Sequence, residues 1–156
     1  MSSDNYNRGV PTQCEETMEQ FVKKFLERLE RANALSDLVT IAALYADVFM
    51  FAGVNGVQTV KKEDFLQVVP RMKAHYALTG LSETQLQTVE SSTIDARYLL
   101  AKAGWRMTVR KLSGDRRRIH TIATYILERK APETFSIVFQ IDHQDLAAIL
   151  KNQQTT

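Results

Sequence analysis

The chain has 156 residues, of which 44% are hydrophobic and 24% are charged. This composition is typical of one globular domain large enough to bury a core, and it excludes a chain that is disordered throughout. Twenty Lys and Arg against eighteen Asp and Glu leave a formal charge of +2, so the overall charge requires neither nucleic acid nor a membrane surface as partner.

The cysteine content and the amino terminus bear on the cell compartment. Cys14 is the one cysteine, which excludes an internal disulfide and a cysteine-rich zinc site and is typical of a reducing compartment. The first residues lack the basic and apolar segments of a secretory signal, and no apolar run approaches the ~20 residues that span a bilayer. We therefore expect a cytoplasmic protein without a membrane segment.

The domain boundaries follow from where apolar periodicity begins and ends. Residues 1–13 are polar, carry Gly9 and Pro11, and predict a disordered tail. A single domain is expected over residues 14–152, with a second disordered tail over residues 153–156. The domain begins with a helix, because these apolar residues recur at spacings of three and one: Met18, Phe21, Val22, Phe25, Leu26 and Leu29.

Two further helices and a short strand are expected before residue 81. Ser36 or Asp37 caps a second helix, which has these apolar positions: Leu38, Ile41, Ala42, Leu44 and Tyr45. Residues 48–51 predict a strand that ends at a turn containing Gly53 and Gly56. The third helix is bent at Pro70, ends at Thr79 and Gly80, and has these apolar positions: Phe65, Leu66, Val69, Met72 and Tyr76.

The second half of the chain changes to a period of two, which predicts strands. Four strands are expected, over residues 83–92, 96–111, 117–129 and 134–142. Their short connections imply antiparallel neighbours, and residues 144–152 predict a short closing helix. Helices first and strands afterwards indicate an α+β fold in which the helices cover one face of a curved sheet.

The order of these elements resembles a known family. The second helix ends in Tyr45, Ala46 and Asp47, a strand follows, Gly56 precedes the third helix, and the long strands carry Trp105. Over about residues 15–150 this resembles the nuclear transport factor 2-like (NTF2-like) superfamily, in particular its SnoaL-like bacterial members. The resemblance implies a cone-shaped curved antiparallel sheet wrapped around three N-terminal helices, also called a cystatin-like roll, with a pocket inside. It also implies a homodimer.

Ketosteroid-isomerising members of that superfamily carry an aspartate base on the first strand and a tyrosine on the first helix. The matching place on the strand falls near Gly53, where no carboxylate stands, and the first predicted helix contains no tyrosine. These residues therefore do not support the isomerase mechanism.

Candidate site residues are those expected to converge on the inside of the sheet. Alternation places Trp105 on the apolar face of its strand, either as a core residue or as a pocket wall. Candidate ligand contacts are Tyr45, Trp105, Tyr125 and His143. His143 and Asp47 are the candidate proton carriers, although the segment from Asp142 to Asp145 is also consistent with a turn in which Asp145 caps the last helix.

Metal and cofactor sites are not expected. The three histidines, His75, His120 and His143, are too far apart in sequence for a local metal motif, and no cysteine accompanies them. Neither a Walker loop nor a dinucleotide-binding glycine motif is present.

The strand over residues 117–129 is apolar on both faces, which favours a second copy of the chain covering the outer face. The last strand is expected to place Phe135, Ile137, Phe139 and Ile141 on one side. We therefore expect a homodimer through the sheet face, against the alternative of a monomer with scattered exposed apolar residues.

The segment 97–118 holds eight basic residues against one acid, Asp115. Such a hairpin attracts an anionic partner, or its charges keep a long hairpin soluble and block edge pairing. No aromatic residues are interleaved with the basic ones on the polar face of this hairpin, which argues against nucleic acid. Three functions stay open: a protein that binds a small apolar molecule in the cone, a SnoaL-like isomerase, cyclase or dehydratase that uses acid–base catalysis, and a protein-interaction scaffold.

Overall fold

A computed structural model describes residues 16–155, so the prediction for residues 1–13 and the role of Cys14 lie outside the described residues. The elements in chain order are α1 (Met18–Leu35), α2 (Leu38–Leu44), β1 (Tyr45–Gly53), β2 (Gly56–Lys61), α3 (Lys62–Leu78), β3 (Leu81–Thr93), β4 (Tyr98–Arg110), β5 (Arg116–Ala131), β6 (Thr134–Asp142) and α4 (Leu146–Thr155).

The strands form a six-stranded sheet in the order β2-β1-β6-β5-β4-β3. All neighbours are antiparallel except β1 and β6, which run parallel, so the sheet is mixed where a wholly antiparallel one was expected. A parallel pair is possible here because a long stretch of chain separates the two strands, and no short hairpin has to join them. The α+β arrangement, with helices packed on one face of a curved sheet, is confirmed.

The first helix lies along the core as its apolar spacing predicted. Thr17 and Gln20 form a reciprocal capping box at its start, and the chain turns out of the helix at Ser36, which has a φ of 52°. From α3, the Lys73 ammonium donates to the carbonyl oxygens of Asn33 and Ala34, at 3.1 and 2.8 Å. A cation at these free carbonyls stabilises the end of α1 against α3.

The region between the second and third helices differs from prediction. Helix α2 is capped by Asp37 as expected, but it ends at Leu44, and Tyr45 is the first residue of β1. Strand β2 was not predicted, because its short alternating sequence leaves most of its residues exposed and gives little apolar signal. It pairs with β1 as a hairpin whose turn places Gly56 at a φ of +100°, and α3 then runs through Pro70 as predicted.

The last strand contains an irregularity that the sequence did not reveal. Leu127 pairs with Ile137, whereas the preceding residue of β5, Ile126, pairs with Phe139, so Val138 is an extra residue in β6. A bulge of this kind exchanges the two faces of the strand beyond it. The prediction that Phe139 and Ile141 share a side with Ile137 is therefore wrong.

Helix α4 extends further than expected. Residues 153 and 154 belong to it and make hydrogen bonds, where the sequence predicted a disordered tail from residue 153. Its start agrees with prediction, since the Asp145 carboxylate accepts a hydrogen bond from the backbone N–H of Ala148 at 3.1 Å.

Candidate functional site

The bulge in β6 turns polar side chains toward the interior. Beyond Val138 the partners on β5 are Tyr125, which pairs with Gln140, and Ala123, which pairs with Asp142. Tyr125 and Ala123 are buried on the core face, and paired residues in a sheet share a face. Gln140 and Asp142 therefore face the core, a side on which the unbroken alternation had placed Phe139 and Ile141.

Three of these inward side chains form a hydrogen-bonded series, which we call the Tyr–Gln–Asp chain (Tyr45, Gln140 and Asp142). The Tyr45 hydroxyl donates to Oε1 of Gln140 at 2.6 Å. The Gln140 amide nitrogen donates in turn to Oδ1 of Asp142 at 3.0 Å. Each hydrogen-bond donor of the series thus meets an acceptor, which offsets the free-energy cost of placing these polar groups beside an apolar core.

Burial and nearby negative charge alter the acid–base behaviour of the tyrosines around this chain. Burial raises the pKa of Tyr45 well above its ordinary value, with smaller contributions from Tyr125 and Asp142. Burial and Asp142 also raise the pKa of Tyr125, partly offset by a hydrogen bond with Trp105. The pKa of Tyr76 on α3 is raised by burial and by Asp142 and Asp145. All three hydroxyls stay protonated at neutral pH; that of Tyr45 already donates to Gln140, whereas those of Tyr76 and Tyr125 can donate to a ligand.

Asp142 is the carboxyl group of this cluster. Burial raises its pKa above the ordinary value, while the hydrogen bond from Gln140 and the charge of His143 act in the opposite direction. A carboxyl group held in this way binds its proton at higher pH than a solvated one and can donate or accept a hydrogen bond.

We expect Asp142→Asn to raise the free energy of unfolding at neutral pH. The pKa of Asp142 is raised in the folded state. Its protonated form therefore contributes fully to the free energy of unfolding below the unfolded pKa of about 3.9, and this contribution is lost as pH rises through the folded pKa. Asparagine cannot ionise, so its advantage over the native chain should grow between pH 3 and pH 7 in urea unfolding. Asp47→Asn, at a side chain that is 98% exposed, is the control, and equal pH dependence in both variants would contradict the expectation.

Solved structures place this architecture among known folds. A protein of unknown function with a cystatin-like fold from Nostoc punctiforme is 16% identical, with a TM-score of 0.65 over 84% of this chain and 95% of that one. An NTF2-like protein with a cystatin-like fold from Novosphingobium aromaticivorans is 13% identical, with a TM-score of 0.63 over 84% of this chain and 86% of that one. The chain has the NTF2-like fold.

Another similar structure is Aln2 from a Streptomyces species, which is 14% identical, with a TM-score of 0.65 over 86% of this chain and 96% of that chain. No family model matches the sequence, and no curated protein matches it. Identities this low establish the NTF2-like fold alone, because one fold hosts many unrelated functions.

Within the NTF2-like cone, three of the four predicted ligand contacts come together. Tyr45, Trp105 and Tyr125 are 5%, 7% and 3% exposed and belong to one core cluster. His143 is not brought to them: it is exposed on the outer side of the sheet, with Nε2 2.7 Å from Oγ1 of Thr124. Asp47 also lies away from the core, with Oδ1 3.2 Å from Nζ of Lys62.

Sequence reasoning missed Gln140, Asp142 and Tyr76 as members of the cluster. Regular alternation places Gln140 and Asp142 on the side of the last strand opposite Phe135 and Ile137, because the sequence gives no sign of the bulge. Tyr76 was assigned to the apolar face of α3, which it shares with Phe65. The one available signal for a polar cluster was Tyr76 itself, because a tyrosine on the inner face of a helix needs a polar partner for its hydroxyl.

Aromatic side chains pack around the tyrosine of the Tyr–Gln–Asp chain: the Tyr45 ring lies 4.7 Å from that of Phe49 and 4.8 Å from that of Phe65. Two cavities of about 420 and 140 Å³ open at the surface of the described part of the chain, and neither is lined by Tyr45, Trp105 or Tyr125. Helix α4 closes the end of the cone at which α3 and β4 finish. Its Gln154 amide accepts from the backbone N–H of Leu112 at 2.9 Å and donates to the carbonyls of Thr79 and Arg110, and its Leu150 is fully buried.

Two further observations concern metal ions and membranes. Over residues 16–155, no three His, Cys, Asp or Glu side chains are grouped closely enough to hold a metal ion. In the same part of the chain, no helix combines the length and apolar character required to cross a membrane.

Proposed function

We propose that this protein is a SnoaL-like homodimer that binds a small, largely apolar molecule with one polar group inside its cone. The observation that supports this function best is the Tyr–Gln–Asp chain, a polar series set into a largely apolar interior wall. Apolar pockets with a few convergent polar groups are the usual form of small-molecule sites.

The chemistry of the cluster defines the polar group of the ligand. The protonated hydroxyls of Tyr76 and Tyr125 donate to a carbonyl or ether oxygen, and the carboxyl group of Asp142 pairs with a hydroxyl. Because Tyr45, Trp105 and Tyr125 are at most 7% exposed, a ligand reaches them only when one end of the cone opens. We place this opening at helix α4. One fully buried leucine, Leu150, and the hydrogen bonds of Gln154 hold it there, so its release exposes little apolar surface.

A ligand panel tests this function. Phenols, naphthols and cyclic ketones are screened by thermal shift, and each hit is measured by calorimetry beside the hydrocarbon that lacks its polar group. We expect at least one hit whose affinity falls tenfold or more when the polar group is removed, because the buried partners are then left unpaired. A panel in which every hit binds as tightly as its hydrocarbon would reject the polar cluster as the recognition element.

The homodimer part of the proposal is supported by the outer face of the sheet. Met50 on β1 pairs with Phe139 on β6, and Phe139 pairs with Ile126 on β5, so the three apolar side chains lie side by side. Met50 is 40% exposed, and Ile126 and Phe139 are partly exposed. A contiguous apolar patch across three strands is the kind of surface that a second copy covers in a symmetric dimer.

Ile126→Glu is therefore expected to convert a dimer into a monomer, because a buried unpaired carboxylate at the centre of the patch opposes association. Sedimentation equilibrium or light scattering measures the mass directly. Leu35→Glu, at a 71% exposed residue of α1 away from the sheet, should leave the dimer intact. A native chain that is monomeric at ~100 µM would contradict the homodimer, since stable dimers form well below that concentration.

A second candidate function is general acid–base catalysis, as in an isomerase, cyclase or dehydratase of the SnoaL-like kind. The raised pKa of the Asp142 carboxyl group, beside the Tyr45 and Gln140 hydrogen bonds, favours it. Asp142 replaces His143 and Asp47 as the candidate proton carrier, because those two lie outside the cluster.

For any compound that binds and is turned over, Asp142→Asn is expected to lose turnover by at least tenfold while retaining binding, since the amide cannot carry the proton. His143→Ala is the control variant and should keep both properties. The reverse result, with turnover lost only in His143→Ala, would reject Asp142 as the proton carrier.

A further inference from the structure

One segment of β5 forms an open sheet edge. Strand β6 pairs with β5 only from Ala123 to Ala131, so residues 116–122 have β4 on one side and no strand of the described chain on the other. The Ile122 N–H donates to Oε1 of Gln144 at 2.7 Å, and the Ile122 carbonyl accepts from the backbone N–H of His143 at 3.1 Å. Residues 116–121, roughly 20 Å of strand, lie beyond these two bonds.

The backbone groups of this edge have a defined direction. Both backbone bonds of Ile122 point away from β4, and the register between β4 and β5 is regular from Tyr98 to Arg110. Because alternate residues of a strand point the same way, the N–H and C=O groups of His120 and Arg118 also point outward. The edge thus presents a row of donors and acceptors on which another strand can form.

The side chains along the edge are strongly basic. Arg116, Arg118 and His120 alternate on the outer face and are exposed, and Arg116 stands directly opposite Arg110 on β4. In the part of the chain that the structure describes, none of the ion pairs within 4.0 Å involves Arg110, Arg116 or Arg118. Like charges opposite each other in a sheet repel, and an anionic partner would reduce the repulsion between Arg110 and Arg116.

We propose that this edge binds an extended acidic peptide segment of another protein as an added strand. The outward backbone groups of Arg118 and His120 pair with the peptide backbone, and the guanidinium groups of Arg116 and Arg118 bind carboxylates at alternate peptide positions. Strand addition combines backbone pairing for affinity with side-chain pairing for specificity. This inference is independent of any ligand in the cone.

Two other partners fit the edge less well. A second copy pairing through the same segment would bring arginines against arginines, which costs free energy. Nucleic acid would use the charges but not the outward backbone groups, and no aromatic side chain alternates with Arg116 and Arg118 to stack on bases.

The probe is a fluorescein-labelled heptapeptide of alternating Glu and Thr, with Glu at both ends, measured by fluorescence anisotropy against the full chain. Its matched control carries the same charges but has N-methyl groups on the central amides, which removes backbone pairing alone. We expect the unmodified peptide to bind at least tenfold more tightly than the N-methylated one and to weaken as salt is raised. Equal affinity of the two peptides would overturn strand addition.

Charge-reversal variants locate the site on the protein. Arg118→Glu should weaken peptide binding at least tenfold, because it removes one carboxylate partner and adds a repulsion. Arg71→Glu changes the net charge equally at an exposed residue of α3 and should leave binding nearly unchanged. Equal losses in the two variants would show that overall charge, and not the edge, attracts the peptide.

A ten-residue thymidine oligonucleotide distinguishes the partner class. Binding of the oligonucleotide as tight as that of the peptide, and equally sensitive to Arg118→Glu, would overturn a peptide partner in favour of nucleic acid. Folding of each variant is checked by far-ultraviolet circular dichroism and by the buried emission of Trp105.

Discussion

Replacing Phe49 with alanine is expected to lower the free energy of unfolding by about 3–5 kcal/mol, the range found for large aromatic residues truncated in well-packed cores. Phe49 is 2% exposed and is among the largest fully buried side chains. Its ring lies 4.7 Å from that of Tyr45 and 5.2 Å from that of Phe65, so it joins β1 to α3. Its removal takes away an aromatic contact with each neighbour and leaves a cavity between a strand and a helix.

Urea unfolding followed by circular dichroism measures this loss. The neighbouring Val48→Ala provides the control, because Val48 is 54% exposed on the other face of the same strand and should cost only about 0.5–1 kcal/mol. A loss near that of the control would mean that the aromatic group does not hold β1 and α3 together. Tyr45 would then lack the support that keeps its hydroxyl on Gln140.

Gly80→Ala is expected to destabilise the fold by about 3 kcal/mol or more. Gly80 has a φ of +101°, which side chains disfavour, and a Cβ there would lie 2.3 Å from the Arg110 carbonyl oxygen. That carbonyl cannot move freely, because the Arg110 N–H donates to the Gly80 oxygen at 2.8 Å. The same Cβ would also meet the Gln154 amide, so the change disturbs the anchoring of α4.

Gly114→Ala separates strain from crowding. Gly114 has a φ of +91°, close to that of Gly80, but a Cβ there meets nothing within 4 Å. We expect this control to lose only about 1–2 kcal/mol, the cost of the backbone conformation. Thermal unfolding of both variants provides the comparison, and similar losses would show that the contact with Arg110 adds nothing.

Much of the fold follows from periodicity alone. The unbroken apolar stripe of α1, from Met18 to Leu29, and the alternation of β4 around Trp105 both predict the buried faces that the structure shows. These signals are strong because each element buries a single continuous face. Strand β2 gave no comparable signal, because most of its residues are exposed and it is a strand through its hydrogen bonds to β1.

The candidate site was only partly predictable for a different reason. Trp105 and Tyr125 lie on regular strands, so alternation places them correctly near the core. Tyr45 also lies in the core, although it begins β1 and does not end α2 as predicted. Gln140 and Asp142 face inward only because Val138 is an extra residue, and the formation of such a bulge depends on the neighbouring strands. The local sequence does not reveal those long-range contacts, which is why Asp142 was not predicted as a member of the cluster.

The parallel pairing of β1 with β6 has a consequence for the order in which the chain acquires its structure. Strand β1 lies between β2 and β6, yet β6 is synthesised after every other strand of the sheet. Until it emerges, β1 has an unpaired edge, and the aromatic core around Phe49 lacks Ile137 and Phe135. Contacts that join distant parts of a chain form late and slow folding. A nascent chain halted before Thr134 should therefore depend on chaperones, whereas completion of β6 would bring cooperative closure of the whole sheet.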